Sequence, residues 1–437
     1  MNKYADLIKG ILDTVLSEMD TYSYLFCKNP GKDFTRKRKL DFKEMLRILL
    51  SMGGNSLQRE LMEYFSYDAD TATSSAFVQQ REKLLPAAFQ FLFHQFTKKA
   101  LSSRTHLGYR LLAVDGSALC IAHNPNDLEN HFPNGSKSKG FNLLHLNAMY
   151  DLCSRVYVDA LVHPGRKVNE RQALVDMVER CDSNKKTIVI ADRGYENYNI
   201  LEHMEQKGWN YVVRIKDISS NGISSALVIP KEESFDKEYN LLMTRRQTKE
   251  IKAHPEKYKF MPKNQKFDYL PIDDQGTYPM HFRIVRFPIS ENQFEVLITN
   301  LSEKEFPVKK LKELYHMRWG IETSFRELKY AIGLTNFHAK KVAYITQEIF
   351  ARLTMYNFCE IITMNVILHQ KDRKHAYQVN FTMAIAICMQ YFKWKGHIPP
   401  PNIEALIQKN ILPVRNGRKD HLKVRTKSSV SFLYRVS

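Results

Sequence analysis

Residues 110–119 read RLLAVDGSAL, and residues 186–195 read KTIVIADRGY. Each is an apolar, β-branched run that ends on one carboxylate and a glycine-containing turn, as a buried strand does where it leaves a sheet. A carboxylate at the end of such a strand is costly to bury unless a partner or a metal ion takes its charge. Taken singly, Asp115 and Asp192 each read first as a loop-initiating or capping aspartate, because Asp-Gly also opens turns. Two of them at equivalent places in one sheet strengthen a functional reading.

Working outward, NLLHLNAMYD (142–151) and SRVYVDALVH (154–163) are further strand-like runs, and VNERQALVDMVERC (168–181) has helical spacing. Three strands, a helix and a buried strand predict a mixed α/β sheet, with WNYVVRIKD (209–217) as a fifth strand after a helix near 198–207. Residues 217–292 are irregular, basic and aromatic, with TRRQTKEIKAHPEKYKF (244–260) and possible strands such as HFRIVRFPI (281–289). Strand character resumes in FEVLITNL (294–301), and one long helix is expected from about 307 to 331.

The flanks are helical. In the first twenty residues Tyr4, Leu7, Ile8, Ile11 and Val15 fall on one face at helical spacing. The basic run Arg36-Lys37-Arg38-Lys39 leads into a second periodic segment that ends at Gly53-Gly54-Asn55-Ser56. This region suits a small DNA-binding module or a helical cap with a solvated charged run. The far end, about 411–437, carries Arg415, Arg418, Lys419, Lys423, Arg425, Lys427 and Arg435 against Asp420 alone, as a basic arm would. The expected divisions are a helical N-terminal region (1–105), a mixed-sheet core in two parts (106–216 and 293–335), a β-rich insertion between them (217–292) and a helical C-terminal region (336–437).

Bulk composition narrows the partner. Sixty-five Lys and Arg against 47 Asp and Glu leave a net charge of +18. Such an excess favours a polyanion, above all nucleic acid, with an anionic membrane surface or a ribosome-like assembly as the other options. Six scattered cysteines without a CxxC pair argue against a zinc site or a disulfide framework. There is no apolar run of about 18 residues and no signal-like N-terminus, so a cytoplasmic protein that does not cross a membrane is expected.

The third chemical element lies in the helix around 315–329. At roughly 100° per residue, Arg318, Glu322 and Lys329 fall about 60°, 20° and 40° from Tyr315, on one stripe. A solvated charged face would look similar, but Trp319, Ile321, Phe325 and Leu328 show a packed helix. Three carboxylates from separate elements can hold two hard divalent cations for phosphoryl transfer. Arg318 and Lys329 can grip neighbouring phosphates, and Tyr315 adds a hydroxyl or a stacking ring.

Asp115, Asp192 and Glu322, with the spacing Y-x2-R-x3-E-x6-K, resemble the bacterial insertion-sequence transposases that carry a YREK signature, the insertion-sequence four family. The likeness extends to DRGYENYN (192–199), LITNL (297–301), RWGIETSFRELKYAIGL (318–334), FTRKRKLDF (34–42) and SAFVQQREKL (75–84), and so to nearly the whole chain. It implies a ribonuclease-H-like core whose Asp115, Asp192 and Glu322 bind two Mg2+ or Mn2+ ions per active site. It also implies cut-and-paste movement of an element bounded by terminal inverted repeats, into target DNA, by a homodimeric synaptic complex. Tyr315, Arg318, Lys329 and Arg193 would contact DNA near the cleaved end, with Arg36, Lys37, Arg38, Arg418 and Arg425 as further contacts. One departure stands out. Relatives that form a DNA hairpin stack a flipped base on an insertion tryptophan, and no Trp occurs between Trp209 and Trp319. Tyr258, Phe260, Phe267 or Tyr269 could substitute or could be core residues. A catalytically silent DNA-binding descendant and a metal-dependent nuclease are the competing readings.

Overall fold

The computed structural model describes residues 2–414 except 37, 103, 135–137, 183–184, 219, 231, 292, 369–375 and 395–398. Five helices open the chain: α1 (Lys3–Thr21), α2 (Phe42–Ser51), α3 (Leu57–Tyr64), α4 (Ser74–Arg81) and α5 (Pro86–Ala100). Then come β1 (Arg110–Ile121), β2 (His131–Asn134), β3 (Ser138–Asp151), β4 (Val156–Pro164), α6 (Glu170–Glu179), β5 (Thr187–Ala191), α7 (Tyr198–Gln206) and β6 (Asn210–Ile215). The next stretch holds β7 (Phe235–Thr244), α8 (Lys249–Ala253), β8 (Tyr258–Phe260), β9 (Thr277–Ser290) and β10 (Gln293–Thr299). The chain closes with α9 (Val308–His316), α10 (Trp319–Tyr330), α11 (Val342–Thr363), β11 (Tyr377–Val379), α12 (Phe381–Lys393), α13 (Ile403–Lys409) and β12 (Ile411–Pro413).

Ten strands form one mixed sheet in the order β2-β3-β1-β5-β6-β10-β9-β7-β8, with β4 also pairing β3. β1 runs antiparallel to β3 and parallel to β5, which is parallel to β6. These central strands are buried on both faces, which is why their sequences read as unbroken apolar runs. On one face Leu112, Val114, Val189 and Val213 pack with Leu174, Val178, Leu201 and Met204 of α6 and α7. On the other, Leu111, Ile188, Ile190 and Val212 meet Leu311, Leu314 and Tyr315 of α9. The irregular segment 217–292 adds β7, β8 and β9 to the same sheet, because β9 pairs with β10 and β10 with β6.

The first and last helices share a core. Ile8, Leu12, Leu46, Leu49, Phe89 and Phe93 lie in one apolar cluster with Ile349, Phe350, Leu353 and Phe392. Arg81, only 3% exposed, pins the two regions together. It donates to Gln347 Oε1 (2.9 Å), Glu348 Oε1 (2.8 Å) and the Tyr344 carbonyl (2.5 Å), all on α11.

Four expectations are corrected. The first strand does not end at Asp115 and Gly116: β1 runs on to Ile121 paired with β3, and only its parallel pairing with β5 stops at Ala113. The buried face of α1 is Ala5, Ile8, Leu12, Val15, Leu16 and Met19, whereas Leu7 is 57% exposed. The expected long helix divides at Met317 and Arg318, where i→i+3 bonds replace i→i+4: Arg318 N–H to the Tyr315 carbonyl (3.0 Å), Gly320 to Met317 (2.9 Å) and Ile321 to Arg318 (3.1 Å). The backbone stays helical through this tighter turn, so Tyr315 and Arg318, three residues apart, remain nearly eclipsed. Lastly, the start of the expected arm is structured, since Ile411–Pro413 pairs with Tyr377–Val379. Arg418, Arg425 and Lys37 lie outside the described residues.

Candidate active site

Strand register sets the first two carboxylates side by side. Ala113 of β1 is level with Ile190 of β5, and Asp115 and Asp192 each lie two residues further along. Parallel neighbours are about 4.8 Å apart, and residues two positions on keep the same face. That face is the one covered by α9 and α10, because Ile190 packs with Leu314 and Tyr315. Each aspartate is braced by a backbone amide: Gly116 N–H donates to Asp115 Oδ1 and Gly194 N–H to Asp192 Oδ1, both at 2.8 Å. Burial pushes the Asp115 carboxyl up to about 6; the charges of Asp192 and Glu322 add to this, while the Gly116 amide and Arg318 oppose it.

The second half of the site comes from α9 and α10. Arg318 Nη2 donates to Glu322 Oε1 at 2.5 Å, and its Nη1 lies 4.0 Å from Asp115 Oδ2. The guanidinium packs 5.2 Å from the Trp319 ring and 6.0 Å from that of Tyr315. Its buried Nε has no hydrogen-bond partner among the described residues. Further along α10, Lys329 Nζ donates to the Ala118 carbonyl of β1 at 3.2 Å, which lays the helix along that strand. Burial lowers the pKa of this amine. Tyr315 is 6% exposed, and burial raises its phenol. Arg193 is exposed on the short 3-10 turn that Asp192 caps.

Several residues at the site gave no usable signal in the sequence. Beneath the aspartates, His145 Nε2 of β3 lies 2.9 Å from Glu170 Oε1 of α6, and this contact holds the Glu170 carboxyl below its ordinary range. The pair fills the space beside Gly116, where an added Cβ would stand 2.2 Å from Glu170 Oε1 and 2.4 Å from His145 Nε2. Gly116, in the middle of β1, is therefore required by close approach. The Tyr195 hydroxyl is buried with no partner among the described residues, and burial with the nearby charges of Glu170, Asp115 and Asp192 raises its phenol. Glu295 of β10 is also raised by burial, although Arg214 Nε is 3.5 Å away and Arg318 adds its field.

Other sequence candidates fall elsewhere. Arg36 and Arg38 are exposed and line a cavity of about 380 Å³ with Lys32 and Lys83. Among the described residues no hydrogen bond or ion pair joins them to the carboxylates. Phe267 is core at 3% exposure, packed with Tyr269 and Tyr278, while Tyr258 and Phe260 are half-buried on β8.

Asp115, Asp192 and Glu322 present only oxygen donors, the set suited to a hard divalent cation. One shared guanidinium leaves negative charge among them that such a cation would neutralise. Among the described residues, however, no three His, Cys, Asp or Glu side chains converge closely enough to hold an ion. Arg318 bonds Glu322 and approaches Asp115 on the other side.

Fold and site together define a mixed α/β protein with an acidic centre where the parallel pairing of β1 and β5 stops, capped by a helix carrying a third carboxylate. The chain belongs to the transposase DDE domain family, which matches residues 106–358, more than half of its length. It is 20% identical over 318 residues to the transposase for insertion sequence element IS231F of Bacillus thuringiensis subsp. israelensis, a match spanning 65% of each chain. Among solved structures it is similar to a piggyBac transposase synaptic complex with hairpin DNA, at 11% identity and a TM-score of 0.45 over 95% of this chain and 87% of that one. No helix among the described residues is long and apolar enough to cross a membrane.

Proposed function

We propose that this chain is an insertion-sequence transposase of the YREK type, which cleaves DNA at inverted-repeat ends and joins the freed ends to target DNA. One observation carries the reading: Asp115 and Asp192 each lie two residues past the paired Ala113 and Ile190 of parallel β1 and β5, and the charges of Asp192 and of Glu322 on the covering helix both act on Asp115. The order β4-β3-β1-β5-β6, antiparallel on one side of β1 and parallel on the other, supports a ribonuclease-H-like core. The line Tyr315, Arg318, Glu322 and Lys329 along α9 and α10 supports the YREK subclass.

In this reading Asp115, Asp192 and Glu322 would hold two Mg2+ or Mn2+ ions, which when bound would lower the pKa of an attacking oxygen and stabilise charge on the leaving one. Arg318 neutralises Glu322 and Asp115 in the free protein and has an unused Nε to donate to a phosphate. Lys329 and Tyr315 flank the same line, and Arg193 reaches solvent beside Asp192. The helical N-terminal region contributes Arg36 and Arg38 to DNA binding. Two protomers act together on paired ends, in the cytoplasm on nucleoid DNA.

The test is incubation of the full chain with a duplex carrying the element's terminal repeat, a supercoiled target plasmid, and Mg2+ or Mn2+. Cut ends joined to the plasmid are expected. Cutting without joining would indicate a nuclease, and tight binding without cutting a silent DNA-binding descendant.

A further inference from the structure

A cavity of about 560 Å³ opens where the first turns of α6 and α7 face the segment around β8. Its lining is rich in cations: Arg171, Lys216, Lys259 and Lys266. Only one carboxylate, Glu196, lines it. That charge is already taken up by the backbone N–H groups of Lys216 (2.9 Å) and Ile223. Lys266 has an outside partner in Asp268 at 3.3 Å, and Lys216 Nζ donates to the Asn221 carbonyl at 3.0 Å. Lys259 differs from both. It is half-buried, has no hydrogen-bond or ion-pair partner among the described residues, and burial alone lowers its amine's pKa.

Tyr198 also lines the cavity, but at 2% exposure its hydroxyl is buried and not open to that space. Desolvating the unpaired Lys259 ammonium is unfavourable unless a ligand supplies a counter-charge. The N-terminal ends of α6 and α7 add their partial positive charge. The volume lies in the range of small-molecule sites, large enough for one nucleotide unit. Arg171 Nε donates to the Gly194 carbonyl at 3.0 Å, tying the cavity wall to the residue two places after Asp192.

We infer that this cavity is a phosphodiester cradle that holds one DNA strand beside the Asp192 turn, with Lys259 as its principal donor and Arg171, Lys216 and Lys266 around it. The inference rests on the transposase reading for the identity of the strand. The amide-bearing lining (Asn197, Asn199 and Gln265 among it) suits a sugar-phosphate contact with water in the remaining volume.

The test uses the full chain in EDTA, with two probes: a terminal-repeat duplex followed by fluorescence anisotropy, and the dinucleotide pTpT followed by thermal denaturation. Lys259→Met should bind the duplex roughly tenfold more weakly and lose about one from the log–log salt slope. Tyr198→Phe, whose lost hydroxyl is buried away from the cavity, should bind as the wild type does. The dinucleotide should raise the Tm of the wild type and not that of Lys259→Met, and the free Lys259→Met protein should melt at or above the wild type. Wild-type binding by Lys259→Met, or equal protection by inorganic phosphate, would overturn the cradle. Lys259-dependent dinucleotide binding by a chain that never cuts DNA would sustain the cradle and remove the transposase reading. Cutting with Lys259-independent binding would do the reverse.

Discussion

Asp115→Asn should make the metal-free protein more stable at pH 8 while destroying its activity. The carboxylate is three-quarters buried, and burial, with like charges nearby, moves it from an ordinary 3.8 to about 6. A group whose pKa rises on folding lends stability below its unfolded value and loses it as pH climbs through the folded value. Wild-type stability should therefore fall between about pH 4 and pH 6 on this account and level off above. At about 1.4 kcal/mol per pH unit of displacement, the upper bound is roughly 3 kcal/mol. Partial exposure and relaxation of Arg318 reduce it to about 1–2 kcal/mol. Asparagine keeps an oxygen to accept the Gly116 N–H and carries no charge, so the penalty vanishes. Urea unfolding of both proteins in EDTA at pH 4.5 and pH 8 measures the difference. A gap that widens by about 1–2 kcal/mol at the higher pH is expected. A gap independent of pH, or a variant less stable at pH 8, would refute the argument. Adding Mn2+ at pH 8 should stabilise the wild type and leave the variant unchanged.

Three further outcomes follow from other parts of the fold. Arg81→Ala removes the buried Glu348 carboxylate's guanidinium partner, leaving it the His338 and Ala339 N–H groups and the His338 ring, and should cost about 3 kcal/mol in urea unfolding, with Arg81→Lys recovering part of it. Gly116→Ala drives a Cβ into Glu170 and His145; it should lower stability by about 1–3 kcal/mol and slow strand cleavage about a hundredfold by misplacing Asp115. Burial lifts the Glu205 carboxyl to about 7, against the Tyr211 hydroxyl that it accepts and with the Glu202 charge adding. Stability should accordingly drop as pH rises from 5 to 8, and Glu205→Gln should flatten that drop in thermal melts.

The acidic centre was legible because two signals coincide in it. Apolar runs interrupted by a carboxylate locate Asp115 and Asp192, and the side-chain period of two puts both on one face once the strands pair, although β1 does not end there but runs on to Ile121. Helical spacing likewise places Glu322 with Arg318. The turn at Met317 was not legible, since its residues keep helical dihedrals and only the hydrogen-bond ladder tightens. Glu170 and His145 come from a helix start and a strand 25 residues apart in sequence, and only the folded sheet brings them under Gly116. Nothing in SAFVQQREKL sets Arg81 apart from an ordinary solvated cation, yet it is a buried clamp because its partners lie on α11, more than 260 residues away. For the same reason, segment 217–292 looked like a separate insertion: the pairing of β6 with β10 that draws it into the main sheet spans it entirely.

The central claim is that Asp192, with Asp115 and Glu322, binds the metal that drives cutting. The most direct measurement is single-turnover cleavage of the terminal-repeat duplex by Asp192→Cys, in Mg2+ and then in Mn2+. A thiolate is a poor ligand for Mg2+ and a better one for softer ions. The account predicts wild-type DNA binding, no detectable cleavage in Mg2+ and partial recovery in Mn2+. Full cleavage by Asp192→Cys in Mg2+ would contradict it.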